Sequence, residues 1–280
     1  MKAVRRKIGL GSVQFGVDYG ISNVRGKTPF DEVSKILDYA LQNGIETIDT
    51  ASAYGNAEEV LGKHNLNEFK VVSKFMPPDG SSVEEELEVS LQKLKLKILY
   101  GYLAHRPEAL IKSKTQWFSL LRLREQGKVK KIGFSLNRPE ELEDLLKLEM
   151  IPDLVQVPYN LFDRRFENQM IRLKEKSCEV HVRSTFLQGL FFMNPKVLPK
   201  YFDPVKTTLL QLQDEHGDKL SGALLDFVLK KDFIDAVIIG VENAGQLVQN
   251  IENLKMTEPI SIEIPNIPDS ILVPSLWPKS

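Results

Sequence analysis

Four residues able to move or steer a proton stand at or just beyond the ends of short apolar runs. Asp49 follows Thr47-Ile48, and Tyr54 lies five residues on. Lys74 follows Val71-Val72-Ser73, and His105 follows Leu103-Ala104. Each has a plain reading by itself: a turn cap, a rim aromatic, a solvated strand end, a loop cap. As a set they describe one reaction. A phenol ionises near ~10 and is a poor acid at neutral pH. An ammonium beside it favours the phenolate, and a carboxylate keeps that ammonium charged and fixed. An imidazole can hydrogen-bond a carbonyl oxygen. Together these groups would deliver a proton to an oxygen gaining charge as hydride reaches its carbon.

Such a set works only if the fold brings it to one place. Short β-rich runs at 8–11, 46–49, 71–74, 98–105, 131–135, 154–158, 179–184 and 236–239 alternate with helical patterns. Phe30, Val33, Ile36, Leu37, Ala40 and Leu41 recur at helical spacing, and Asn43-Gly44 ends that helix. Further helices are predicted over 57–63, 83–94, 117–126, 139–148, 166–177, 206–216, 221–230 and 244–256. Asn137 is the expected N-cap of the 139–148 helix, with Pro139 in its first turn. Strands alternating with helices require a parallel sheet, because a parallel connection needs a crossover. About eight such units in one chain predict an α/β fold, a closed (β/α)8 TIM barrel with its site at the C-terminal strand ends. A doubly wound sheet should carry G-x-G-x-x-G after its first strand. Here Gly9-Leu10-Gly11 runs into Ser12-Val13-Gln14, and the last glycine is missing. Residues 1–280 read as one domain. The proline-rich tail, 257–280, is expected to lie extended over the barrel, with Leu272 and Trp277 as anchors.

The segment Asp49-Thr50-Ala51-Ser52-Ala53-Tyr54-Gly55-Asn56-Ala57-Glu58 resembles the D-T-A-x-x-Y-G-x-x-E segment of the aldo-keto reductases. Val72-Ser73-Lys74 is similar to that family's lysine strand, and Leu103-Ala104-His105-Arg106-Pro107 to its histidine strand. The resemblance covers nearly the whole chain and implies NAD(P)H-dependent carbonyl reduction. Tyr54 would be the proton donor, Lys74 its partner, Asp49 the partner of Lys74, and His105 the substrate-orienting residue.

The resemblance also implies a cofactor site. Gly133-Phe134-Ser135-Leu136-Asn137 is similar to a G-V-S-N segment whose Ser and Asn face the nicotinamide amide. Ser135 matches, whereas Leu136 stands where the family has Asn. Gln156 in Val155-Gln156-Val157 matches the amide-binding glutamine. Arg183, before Ser184, stands where a tyrosine usually stacks on the nicotinamide. A guanidinium can stack there, bind an acidic substrate with Arg106 and Lys27, or pair with a nearby carboxylate. Gly11 ends the strand under the nicotinamide. Gly240, Glu242, Asn243, Gln246 and Asn250 look like the adenosine-phosphate site. Glu242 would repel a 2′-phosphate yet accept hydrogen bonds from a ribose diol, so NADP(H) and NAD(H) both stay open. Gly9 to Gly20 and Ser184 to Leu190 are most similar to a bacterial branch linked to surface-sugar metabolism. Loops at 23–27, 107–116 and 191–203 and the tail from 265 are the candidate substrate walls.

Other classes are disfavoured. Lys plus Arg total 37 and Asp plus Glu total 38, a net charge of -1, which offers no field for nucleic acid. The basic Met1 to Arg6 leads into no long apolar run, so neither a signal peptide nor a membrane span is expected, and the cytoplasm is the expected location. Cys178 is the one cysteine, and the four histidines lack metal-ligand spacing, so no metal is expected. A monomer acting on a small carbonyl compound is the default. A cofactor-binding regulatory protein and a sugar epimerase or lyase are the competing classes.

Overall fold

The computed structural model describes residues 6–278. Met1 to Arg5, most of the basic N-terminal stretch, and Lys279-Ser280 of the tail lie outside the described residues. Eight strands pair in chain order and close into a parallel barrel. They are β1 (Ile8–Gly11), β2 (Thr47–Asp49), β3 (Lys70–Phe75), β4 (Leu99–Ala104), β5 (Val129–Ser135), β6 (Leu154–Pro158), β7 (Glu179–Arg183) and β8 (Ala236–Gly240). Both faces of the strands are covered, which is why β6 is buried at every residue and reads as an unbroken apolar run around one glutamine.

The helices are α1 (Val13–Gly16), α2 (Phe30–Gln42), α3 (Ala57–Leu61), α4 (Val83–Leu94), α5 (Glu108–Lys112) and α6 (Thr115–Glu125). The second half adds α7 (Pro139–Lys147), α8 (Glu167–Glu175), α9 (Asp203–His216), α10 (Leu220–Leu229), α11 (Ala244–Met256) and α12 (Asp269–Leu272). In α2, Val33, Ile36, Leu37 and Ala40 are buried at the spacing of one helix face. Ser82 and Glu85 form a capping box that starts α4. Most predicted ends move by one to three residues. Three short helices, α1, α5 and α12, have no counterpart among the predicted elements, since one turn shows no periodic repeat.

The start of α7 differs from expectation. Its N-cap is Arg138, not Asn137, although Pro139 does occupy the first turn. The Glu141 carboxylate accepts from the backbone N–H of both Asn137 and Arg138. Asn137 is thereby freed to face the barrel mouth.

The tail is mostly irregular, as its prolines require, but it forms the short α12 and a 3-10 turn over Pro274–Leu276. Leu272 and Trp277 are buried in a second apolar cluster with Leu190, Phe202 and Leu209. No helix among the described residues is long and apolar enough to cross a membrane.

Candidate active site

Parallel pairing in register brings the strand ends to one rim. Asp49 closes β2, opposite Gly11 of β1 and Val72 of β3. Lys74 lies opposite Leu103, and His105 follows β4 directly. Ser135 ends β5 opposite Gln156, and Arg183 ends β7.

Tyr54 sits on the loop between β2 and α3, and a backbone contact holds that loop in place. A methyl group at Gly16 would come within 1.7 Å of the Tyr54 carbonyl oxygen. Gly55 has φ +57, a conformation costly to other residues, and a methyl there would meet the Gly16 carbonyl at 2.6 Å. The glycine pair lets the tyrosine loop lie against α1.

Lys74 is fully buried, an unusual place for an ammonium. Its Nζ donates to both Asp49 carboxylate oxygens, at 2.8 and 2.7 Å, and to the Thr50 carbonyl at 2.7 Å. It lies 4.9 Å from the centre of the Tyr54 ring. Burial works against its charge, but the Asp49 carboxylate and the Tyr54 phenol outweigh it and hold Lys74 above the usual lysine range. The His105 ring meets Tyr54 edge-on, with centroids 5.7 Å apart. Burial first, then the charges of Lys74, Arg183 and Arg106, push His105 down to about 3. It is therefore a neutral imidazole across the physiological range.

A cavity of about 930 Å³ opens over these groups. Asp49, Tyr54, His105, Arg106, Gly11, Ser135, Arg183, Ser184, Gly240, Glu242, Gln246 and Asn250 all line it. Three expected residues do not. Lys74 lies beneath Tyr54. Asn243 caps α11, its side chain accepting from the Gln246 N–H at 3.0 Å. Gln156 is fully buried and donates to Asp49 at 2.7 Å, while its Oε1 has no partner.

The oxygens around Arg183 belong to no carboxylate. Its guanidinium donates to the Leu136 carbonyl at 3.1 Å and to Asn137 Oδ1 at 2.7 Å. Among the described residues it makes no ion pair, so the carboxylate-paired alternative does not hold. Lys27 donates to Asn56 and is not part of the cavity wall. Leu136 is buried in the core, and the asparagine facing the cavity is its neighbour Asn137. In the sequence Asn137 reads as a helix cap; in the structure it faces the cavity. Tyr19 and Gln188 were also missed. Gln188 Nε2 donates to the Tyr19 hydroxyl at 2.9 Å, joining the loops after β1 and β7. Of the candidate walls, the 23–27 loop, Phe192 and Ser275 reach the cavity, and the 107–116 loop does not.

The cavity fits a dinucleotide. Gly11 and Gly240 are register partners and both line the cavity; the Ile238 side chain lies beside Gly11, and the Gln14 side chain packs against Gly240, where a Cβ would meet it at 2.7 Å. Ser135 and Asn137 line one end, and Glu242, just before α11, with Gln246 and Asn250 of α11, line the other.

Residues 7–266 match the Aldo/keto reductase family. The chain is 24% identical over 279 residues to the uncharacterized oxidoreductase YqkF of Bacillus subtilis (strain 168), covering 89% of this chain and 90% of that protein. It is 30% identical over 200 residues to glyoxal reductase of the same organism, covering 67% and 71%. An aldo-keto reductase from Bacillus halodurans in its holo form has the same fold, with a TM-score of 0.71 at 21% identity over 91% of this chain and 88% of that one. So does an aldo-keto reductase from Klebsiella pneumoniae in complex with NADPH, at 0.68 and 22% over 91% and 87%. With the barrel, the strand-end residues and the match from 7 to 266, the chain belongs to the aldo/keto reductase family and is an oxidoreductase of that family.

Proposed function

We propose that this protein reduces an aldehyde or ketone to an alcohol with NAD(P)H, and that Tyr54 gives the proton to the carbonyl oxygen. The observation that carries the reading is Lys74, buried between the Asp49 carboxylate and the Tyr54 ring. The ammonium stabilises the phenolate left when the proton departs, and Asp49 holds the ammonium in position. Neutral His105 can donate one N–H to the carbonyl oxygen and so set its place beside the Tyr54 hydroxyl.

The reduced nicotinamide supplies the hydride when bound. Ser135 and Asn137 would hold its amide, with Gly11, Ser184 and Gly240 around the ring, while buried Gln156 holds Asp49 in place from behind. Glu242, Gln246 and Asn250 would hold the adenosine end, with Asn243 capping the helix that carries two of them. Arg183 and Arg106 put positive charge at the mouth, where a carboxylate or phosphate on the substrate would be favoured. One relative is named a glyoxal reductase and another, of Escherichia coli (strain K12), a methylglyoxal reductase, matched over 41% of this chain. Small dicarbonyls and anionic carbonyls therefore head the substrate panel.

Tyr54→Phe tests the reading. Turnover on any accepted carbonyl should fall at least ~100-fold, within the range for a lost general acid, with cofactor binding kept. Unchanged turnover would remove Tyr54 from the proton-donor role.

A further inference from the structure

We infer that Glu58 is a positioning residue for the proton transfer: clasped by Ser73, it fixes the loop that carries Tyr54 against the strand that carries Lys74. This rests on the proposed role of Tyr54 as proton donor.

Glu58 lies in the first turn of α3, four residues after Tyr54, and is buried. Its carboxyl oxygens accept from two hydroxyls, Ser73 at 2.6 Å and Ser90 at 3.2 Å. Among the described residues it forms no ion pair. Burying a carboxyl without a cation is costly, and an apolar side chain would fill the same interior at less cost. The Tyr102 phenol of β4 feels the same carboxyl: burial first, then Glu58 and Glu86, push that phenol well up. The Tyr102 oxygen has no partner, so it adds nothing to the hold on Glu58. Packing alone does not account for a carboxyl in this place.

Its two neighbours in the chain and across the strand do. Ser73 directly precedes Lys74 on β3, and side chains alternate along a strand. Ser73 therefore meets Glu58 on the helix side, while Lys74 meets Asp49 and the Tyr54 ring. The Ala57 N–H donates to the Tyr54 carbonyl at 3.0 Å, so the residue before Glu58 is tied to the tyrosine itself. Ahead of Tyr54 the loop meets β3 through backbone. Thr50 N–H donates to the Val72 carbonyl at 2.9 Å, and Ser52 N–H to the Lys74 carbonyl at 3.0 Å. Those bonds fix the approach to Tyr54, and Glu58 fixes the exit. Tyr54 is thus held between two attachments to the lysine strand, with its ring centre 4.9 Å from Lys74 Nζ. Ser90 belongs to α4, and its bond to Glu58 makes no link to β3.

The test compares Ser73→Ala, Ser90→Ala and Glu58→Gln, each made in the unaltered protein and in Tyr54→Phe. Turnover is measured with NADPH and NADH on an aldehyde panel headed by methylglyoxal, beside dinucleotide titrations and melting curves. The two serine variants each lose one hydroxyl bond to Glu58, so their melting temperatures should fall alike. Ser73→Ala should lower kcat at least ~10-fold, a share of the roughly 10²–10⁴ that a positioned general acid supplies, with KM and dinucleotide affinity nearly unchanged. Ser90→Ala should keep most of kcat. Glu58→Gln retains an acceptor for Ser73 and should keep more activity than Ser73→Ala. In Tyr54→Phe, Ser73→Ala should lower the residual rate no further, because groups that act through one step are not additive. Equal losses in both backgrounds, or equal losses of kcat from the two serine variants, would make Glu58 a structural residue and overturn the inference. If no aldehyde is reduced, or Tyr54→Phe keeps full turnover, the proposed function itself falls, and this inference with it.

Discussion

At the scale of single residues, the site is a buried charge pair with a neutral imidazole beside it. Lys74 and Asp49 lie out of water and satisfy each other, with Thr50 and Gln156 taking further bonds. Burying such a pair is costly, and removing one partner of it typically costs ~3–5 kcal/mol. Its presence is better explained by chemistry than by stability. His105 carries a pH consequence. An unperturbed imidazole titrates at 6.5, and the folded one at about 3. As pH falls below 6.5 the unfolded chain gains a proton that the folded chain refuses. The stability linked to His105 is whole above 6.5 and is lost progressively toward 3. His105→Gln should flatten that part of the curve, read from urea midpoints at pH 7 and pH 5. An unchanged difference between the two midpoints would show that His105 is not depressed.

At the scale of elements, one loop decides whether the set works. Tyr54 is carried by a connection, not by a strand, and its position depends on Gly16 and Gly55 touching backbone to backbone. Gly16→Ala would place a methyl 1.7 Å from the Tyr54 carbonyl, and the loop would have to move. A displacement near 1 Å at a reacting group costs roughly 100-fold in rate. We expect turnover to fall by about that much with dinucleotide affinity little changed, measured by steady-state kinetics beside a binding titration. Full activity in the variant would mean that the loop tolerates the shift.

At the scale of the molecule, the two ends of the barrel divide the work. The mouth holds the chemistry, and the opposite end holds an ion cluster that ties β4, β5 and β7 together. Glu179 accepts from the Tyr100 hydroxyl at 2.6 Å, contacts His181 at 2.6 Å and pairs with Lys131. Burial opposes its charge, but these partners outweigh burial and hold it well below the usual carboxylate range. A depressed carboxylate contributes stability above its unfolded value of about 4.5, and that contribution is lost as pH falls. Glu179→Gln should lower the melting temperature at pH 7 and narrow the gap from the unaltered protein near pH 3. Because the cluster lies away from the mouth, dinucleotide affinity should stay the same. A gap that widens toward acid would reverse the assignment.

Much of this was legible from residue order alone. Eight alternating units require a parallel sheet, since parallel strands need a crossover connection, and the missing last glycine of G-x-G-x-x-G after the first strand favours a barrel over an open sheet. Strand-end placement of Asp49, Lys74 and His105 follows, because residues at strand C-termini share one rim. Local patterns also mark the glycine-rich first loop, and the prolines keep most of the tail out of regular structure. Contacts between distant segments could not be read in this way. Asn137 looked like a cap until Glu141 took the backbone amides at the start of α7. Arg183 looked open to a carboxylate until the β5 loop offered it two neutral oxygens. Glu32 looked like an ordinary first-turn acid until α11 packed against it. Periodicity reports which face of an element is buried. Only closure of the barrel decides which polar atoms then meet, because their partners lie far apart along the chain.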